Sequence, residues 1–271
     1  MWYVFHHWGL PLFGAVCWWG MLIALIVAWS IQGKPIYKVK YESTSWFVFI
    51  SDVGATNLQP VFISCAGAQA LCYVLATVSE RYLRHAGRLV PNRRRLEKVL
   101  AGFSIGLGVI GQLGILFVSI FNTNAFPRVH VAMLCVFIVF TGLSILCVIG
   151  EFFLLDRAYS GIRRLRISYA FKTVFFICAL ALAVSFAALH HKRNAAAICE
   201  WTLSFLYGFY LLSLVYDLWP AHNKDKGHHT HKKDSERTWS PQEPEMAQMD
   251  QMEPIDHRGP VEVTAPQYTN F

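Results

Sequence analysis

Residues 9–31 read GLPLFGAVCWWGMLIALIVAWSI, and no side chain between Gly9 and Lys34 is ionisable except Cys17. A hydrocarbon core about 30 Å thick is crossed by about 20 residues of α-helix rising about 1.5 Å each. Helix is the form that such a run must take, because every N–H and C=O in lipid needs a partner within the segment. Working outward, the same character returns in Leu58 to Leu83, Val99 to Phe121, Val131 to Leu155, Tyr169 to Leu189 and Ala195 to Trp219. The expected fold is all-α: a polytopic membrane helix bundle with about six transmembrane helices over residues 1–220.

Composition agrees. The 271 residues are 55% hydrophobic and 15% charged, against about 25% charged in soluble globular chains. The missing charges are missing from the spans. No Lys or Arg precedes Leu10, so the first run reads as a retained helix rather than a cleaved signal. The seven cysteines all fall in or beside apolar runs, which describes small buried side chains and not a disulfide framework. Residues 221–271 are rich in Pro, His, Gln, Glu and Lys and read as a disordered cytosolic tail. Gly102 and Gly106 form a small-xxx-small pair suited to a close helix contact. The apolar piece Ser45 to Ile50 is too short to cross and is expected at the interface.

Arg84, Arg88, Arg93, Arg94, Arg95, Lys98, Arg157, Arg163, Arg164 and Arg166 follow the second and fourth spans, and the opposite side carries fewer basic residues. The positive-inside rule then puts both termini in the cytosol. The net charge of +7 sits beside the spans, so it points to anionic phospholipid headgroups and not to nucleic acid. Arg93, Arg94, Arg95, Arg163, Arg164 and Arg166 are the expected lipid-binding residues.

On the outer side Asp52, His130 and Glu200 each lie close to a span end. Carboxylates and an imidazole near a membrane are candidates for chemistry on a lipid headgroup. Their alternative role is a hydrogen-bonded cluster that fastens loop ends. No HExxH spacing, GxSxG elbow, Walker loop or dinucleotide fingerprint occurs, so neither a metal nor a cofactor is expected. On the inner side Glu80, Arg81, Glu151, Lys172 and Asp217 are expected to form structural ion pairs. A transport path needs polar groups through the middle of the membrane, where the sequence offers only Gln69 and Gln112.

Three pieces carry a family resemblance. They are Ile50-Ser51-Asp52-Val53-Gly54-Ala55-Thr56, then Ser119-Ile120-Phe121-Asn122-Thr123 with Pro127 and His130, and Ala197-Ile198-Cys199-Glu200-Trp201. With Asp217, they occur in order at span ends, and the chain from about residue 8 to 220 resembles the Frag/DRAM/Sfk family, also described by its Cwh-type N-terminal domain. Asn122 departs from the Asp found in several members. The resemblance implies a six-helix protein without established catalysis in most branches. Its Sfk branch looks like a plasma-membrane regulator supporting a phosphatidylinositol kinase complex and lipid asymmetry. The DRAM branch is lysosomal and tied to autophagy, and the Frag branch acts in Golgi remodelling of GPI lipids. The tail is similar in style to fungal members and favours the Sfk branch. The resulting expectation is a non-enzymatic organiser of membrane lipid homeostasis at the plasma membrane, with vacuolar or Golgi membranes as alternatives. A lipid- or GPI-anchor-remodelling enzyme using Asp52, His130 and Glu200 is the second reading, and a transporter the third.

Overall fold

The computed structural model describes residues 6–35, 46–159, 161–189 and 191–221, and the backbone of the last helix onward to Arg237. The helices are α1 Gly9–Ile31, α2 Ile50–Gly54, α3 Gln59–His85, α4 Arg95–Ile120, α5 Pro127–Ala158, α6 Arg163–Ala188 and α7 Arg193–Arg237. Six of them are long and apolar enough to span a bilayer, α7 through its Arg193–Ala221 part. No strand occurs among the described residues. α7 continues as helix to Arg237, through the first part of the 221–271 tail expected to be disordered, and residues 238–271 of that tail lie outside the described residues.

Local chemistry sets the helix ends. Proline stands in the first turn of α3 and of α5, where its missing N–H costs nothing. At the start of α4 the buried Glu97 carboxylate accepts from the backbone N–H of Arg93 at 2.7 Å and of Arg94 at 3.2 Å. Two of the orphan donors at that helix start are thereby satisfied. Several helices run further than hydropathy indicates. α6 begins at Arg163 rather than Tyr169, α4 at Arg95 rather than Val99, and α5 continues to Ala158. Arginine stems can lie along a helix while their heads stay in water, so a charged turn need not be a loop.

Helix contacts rest on small residues, on a different face from the one expected. A Cβ on Gly102 or Gly106 would meet nothing within 4 Å. Instead α4 presents Gly111 and Gly114 to α5, and Gly108 to Tyr73 of α3 and Ser144 of α5. A Cβ on Gly111 would come 2.8 Å from the Thr141 nitrogen, and one on Gly114 would come 2.7 Å from that of Phe137. Backbone meets backbone there, which only glycine permits. On α7, Gly208 leaves room for the Trp19 ring of α1. The Trp19 indole N–H donates to the Phe205 carbonyl at 3.1 Å, and Trp18 to that of Ser204 at 2.7 Å.

In the middle of the bundle the buried amides close on one another. Gln69 Nε2 donates to Gln112 Oε1 at 3.2 Å and to the Tyr207 hydroxyl at 3.0 Å, and Gln112 Nε2 reaches that hydroxyl at 3.1 Å. Tyr73 bonds Ser144 at 3.1 Å, and Ser144 donates to the Ser104 carbonyl at 2.6 Å. These pairs tie α3, α4, α5 and α7 together by the polar contacts that hold helices in lipid.

Candidate functional site

The segment before α2 does not lie flat at the interface. Val48, Ile50 and Val53 enter the core, and the backbone around them is stitched to the start of α7. Asn194 Oδ1 accepts from the N–H groups of Trp46 at 3.0 Å and Phe47 at 3.1 Å. Trp201 donates its indole N–H to the Val48 carbonyl at 2.9 Å. Glu200 Oε2 accepts from the Ile50 N–H at 2.9 Å, and Asp52 pairs with Arg193 at 2.9 Å. The Arg193 guanidinium also lies 5.2 Å over the Phe49 ring. A short helix with unsatisfied ends thus finds its partners on a neighbouring helix start.

Asp52 and Glu200 are therefore brought together, and His130 is held elsewhere. His130 is buried and its Nδ1 bonds the Phe121 carbonyl at 2.8 Å, beside the C-terminus of α4. Gln59 Nε2 serves the same helix end, donating to Ile120 at 3.0 Å and Ser119 at 3.3 Å. Asn122 Nδ2 donates to Gln59 Oε1 at 3.3 Å. An ionised Asp at position 122 has no proton to donate there. Among the described residues no cluster of three or more His, Cys, Asp or Glu side chains has metal-holding geometry.

Glu200 has a second neighbour. With Ser51 it forms the polar edge of an apolar cavity of about 140 Å³, walled by residues such as Phe137, Phe175, Phe176 and Tyr207. Glu200 is only partly exposed, and it lines this cavity.

Burial raises the Asp52 carboxyl above the ordinary carboxylate range, against the pull of Arg193 and a backbone hydrogen bond. A raised folded-state value means that the group favours the fold fully below its unfolded value, and that this contribution is lost as pH rises through the folded value. Asp52→Asn keeps an acceptor for Arg193 and removes the buried charge. The expected result is thermal stability at neutral pH equal to or above that of the parent. The decline of the parent relative to the variant should begin near pH 4, the ordinary Asp value of about 3.9, and continue upward. Arg193→Ala should be the more damaging change at neutral pH, because it leaves the carboxylate unpaired. Melting curves of the three proteins across pH check the order, and a larger loss from Asp52→Asn overturns it.

At the opposite end charged side chains from four helices lie together. Glu80 pairs with Arg84, one turn on, at 2.7 Å, whereas Arg81 stays half-buried. Arg84 Nε also lies 3.5 Å from Glu151 Oε1, and Asn92 Nδ2 donates to that oxygen at 2.8 Å. Lys172 pairs with Asp217, and Ser168 Oγ donates to Asp217 at 2.5 Å. Phe152 lies between these groups, with the Arg84 guanidinium 4.9 Å and the Lys172 ammonium 4.6 Å from its ring centre. The cluster joins α3, α5, α6 and α7.

Of the six arginines expected to meet lipid, Arg93, Arg94, Arg95, Arg163 and Arg166 are exposed. Arg166 Nε reaches Asp156 at 3.7 Å. Arg164 is half-buried and turned to a particular task. Pro220 stands inside α7 and has no N–H for the carbonyl four residues earlier, that of Tyr216. Arg164 Nη2 donates to that carbonyl, and its guanidinium lies 4.2 Å over the Tyr216 ring.

Comparison with known proteins agrees with the resemblance. A model described as the Frag1/DRAM/Sfk1/Cwh43P N-terminal domain matches residues 6–221. The chain is similar to Protein SFK1 of Saccharomyces cerevisiae, at 32% identity over 274 aligned positions covering 78% of this chain and 77% of that protein. It is also similar to Protein sfk1 of Schizosaccharomyces pombe, at 30% identity over 212 positions covering 78% of this chain and 63% of that protein. No solved structure matches the chain.

Proposed function

This chain belongs to the Frag1/DRAM/Sfk1/Cwh43P N-terminal domain family, and we propose that it is a non-enzymatic organiser of membrane lipid homeostasis. The observation that carries this reading is the cationic end of the bundle. Arg93, Arg94, Arg95, Arg163 and Arg166 are exposed beside the ends of spanning helices. An anionic leaflet attracts each such residue by about 1 kcal/mol. The same distribution supports cytosolic termini. The similarity to the two yeast Sfk proteins favours the Sfk branch, and the resemblance to that branch implies a plasma-membrane location and a cytosolic partner such as a phosphatidylinositol kinase complex. The engagement of Asp52, Glu200 and His130 with Arg193 and with backbone groups supports the non-enzymatic form of the reading.

Expression in cells lacking the endogenous relative tests it, with the distribution of anionic phospholipid between leaflets measured by a membrane-impermeant probe. An organiser restores the distribution, and a variant carrying Asp52→Asn and Glu200→Gln, expressed at the same level, restores it equally. Restoration lost with that variant at full expression would transfer the function to the outer carboxylates and overturn the reading.

A further inference from the structure

We propose that the apolar cavity beside Glu200 seats one acyl chain of a membrane phospholipid. The inference goes beyond the lipid reading above and makes no use of the cationic end of the bundle.

The seam of α6 shows where the space comes from. Leu165, Ser168, Lys172 and Phe175 are its buried residues, three and four positions apart along one face. The same spacing continues through Ala179, Ala183 and Phe186, which line the cavity and are only half-buried. One face of α6 is thus closed against its neighbours over the first half and open over the second, where two alanines stand in line. Ile138 of α5 and Leu203 of α7 belong to the rest of the wall.

A tilt of α6 does not close the gap, because the helix is held on both sides of it. Towards its start, Lys172 pairs with Asp217 of α7 and Arg164 bonds the Tyr216 carbonyl. Near its end, the Phe186 ring meets the Phe49 ring edge-on, with 6.3 Å between centres. An apolar cavity of about 150 Å³ stays dry and takes an apolar guest. Left empty, its walls lack partner atoms and forfeit dispersion attraction. Lipid tails are as apolar as leucine, so a chain that enters restores those contacts without a change of solvent.

Size, position and charge choose the occupant. A helix from a second copy is about 10–12 Å across with its side chains, too wide for a space of about 140 Å³. Lipid already stands at the wall, since Leu180 lines the cavity and is 52% exposed on a spanning helix. Ser51 and Glu200 give the cavity a polar edge beside the start of α7, where the ester and headgroup of a seated phospholipid find polar company. A free fatty acid would set its own carboxylate against the Glu200 carboxyl, and like groups at one site resist ionisation together. A choline phospholipid brings no carboxylate.

The test reconstitutes the full chain in phosphatidylcholine nanodiscs, releases it into detergent and weighs it by native mass spectrometry. The parent should keep one phosphatidylcholine after the surrounding lipid is stripped. Ala183→Phe fills the open seam and should weaken retention about tenfold, a modest share of what forcing bulk into an occupied space costs. Ala179→Leu, a smaller filler, should weaken it less. Ala181→Phe adds a ring on the exposed face and should leave retention unchanged. Added phosphatidylcholine should raise the melting temperature of the parent and of Ala181→Phe, but not that of Ala183→Phe. Should Ala183→Phe fail to fold, Ala179→Leu against Ala181→Phe decides. Retention unchanged by either filler overturns the seat, as does equal weakening by Ala181→Phe and Ala183→Phe. A parent that carries a free fatty acid instead, runs as a lipid-free dimer or holds no lipid overturns it too. The organiser reading stands in each of those cases, because its own test reads the leaflets and not this cavity.

Discussion

Arg84→Leu is expected to destabilise the protein by about 3–5 kcal/mol, the cost of removing one partner from a buried ion pair. The loss should stand at the top of that span for three reasons. Arg84 serves two carboxylates, Glu80 and Glu151, which are both buried. Its removal leaves two like charges near one another without their shared cation. It also frees the Val90 carbonyl, which Arg84 Nη1 holds in the loop after α3. Arg81→Leu is the control. It removes a neighbouring arginine, half-buried in the same helix, and should cost far less. Thermal unfolding in detergent, followed by circular dichroism, gives both values. Near-equal melting temperatures for Arg84→Leu and the parent would show that the cluster does not hold α3 to α5.

The six spans were legible because lipid imposes one rule, a long uncharged run, and the sequence either has it or lacks it. The ends were less legible, because hydropathy averages over a window and arginine in a helical turn scores as loop. Hydropathy places Arg163, Arg164 and Arg166 in a loop, and they form the first turn of α6. The choice of glycine face was not legible either. Gly102 and Gly106 have the right spacing, but spacing cannot say which side of a helix meets a neighbour. Gly111 and Gly114 do so because Thr141 and Phe137 lie opposite.

The charged clusters divide in the same way. The pairing of Glu80 with Arg84 carries a readable signal, the i,i+4 spacing that makes neighbours on a helix. Pro220 carried another, since a proline inside a helix frees the carbonyl at position 216 and calls for a donor. That the donor is Arg164 depends on how α6 packs on α7, which no local rule supplies. Asp52 and Glu200 stand near span ends in the sequence, whereas nothing local marks Arg193 and Asn194 as their neighbours. Their role follows from the docking of the segment before α2 onto α7, a contact between residues about 150 positions apart.

Lys172→Met and Asp217→Leu, made singly, should each cost about 3–5 kcal/mol, and the two together should cost much less than either alone. Lys172 is 0% exposed and the Asp217 side chain 3%, so neither charge has water to fall back on. Without Lys172, Asp217 keeps only the Ser168 hydroxyl. Without Asp217, Lys172 keeps Ser168 at 2.6 Å and the Phe152 ring, neither of which carries a full negative charge. The double variant removes the desolvation of both ions and substitutes side chains of suitable bulk for a lipid-embedded bundle. A double-mutant cycle on melting free energies measures the coupling, and it should recover most of the summed single losses. Additive losses would mean that Lys172 and Asp217 act separately, each through Ser168 or Phe152. The link between α6 and α7 would then rest on Arg164 and the carbonyl that Pro220 leaves open.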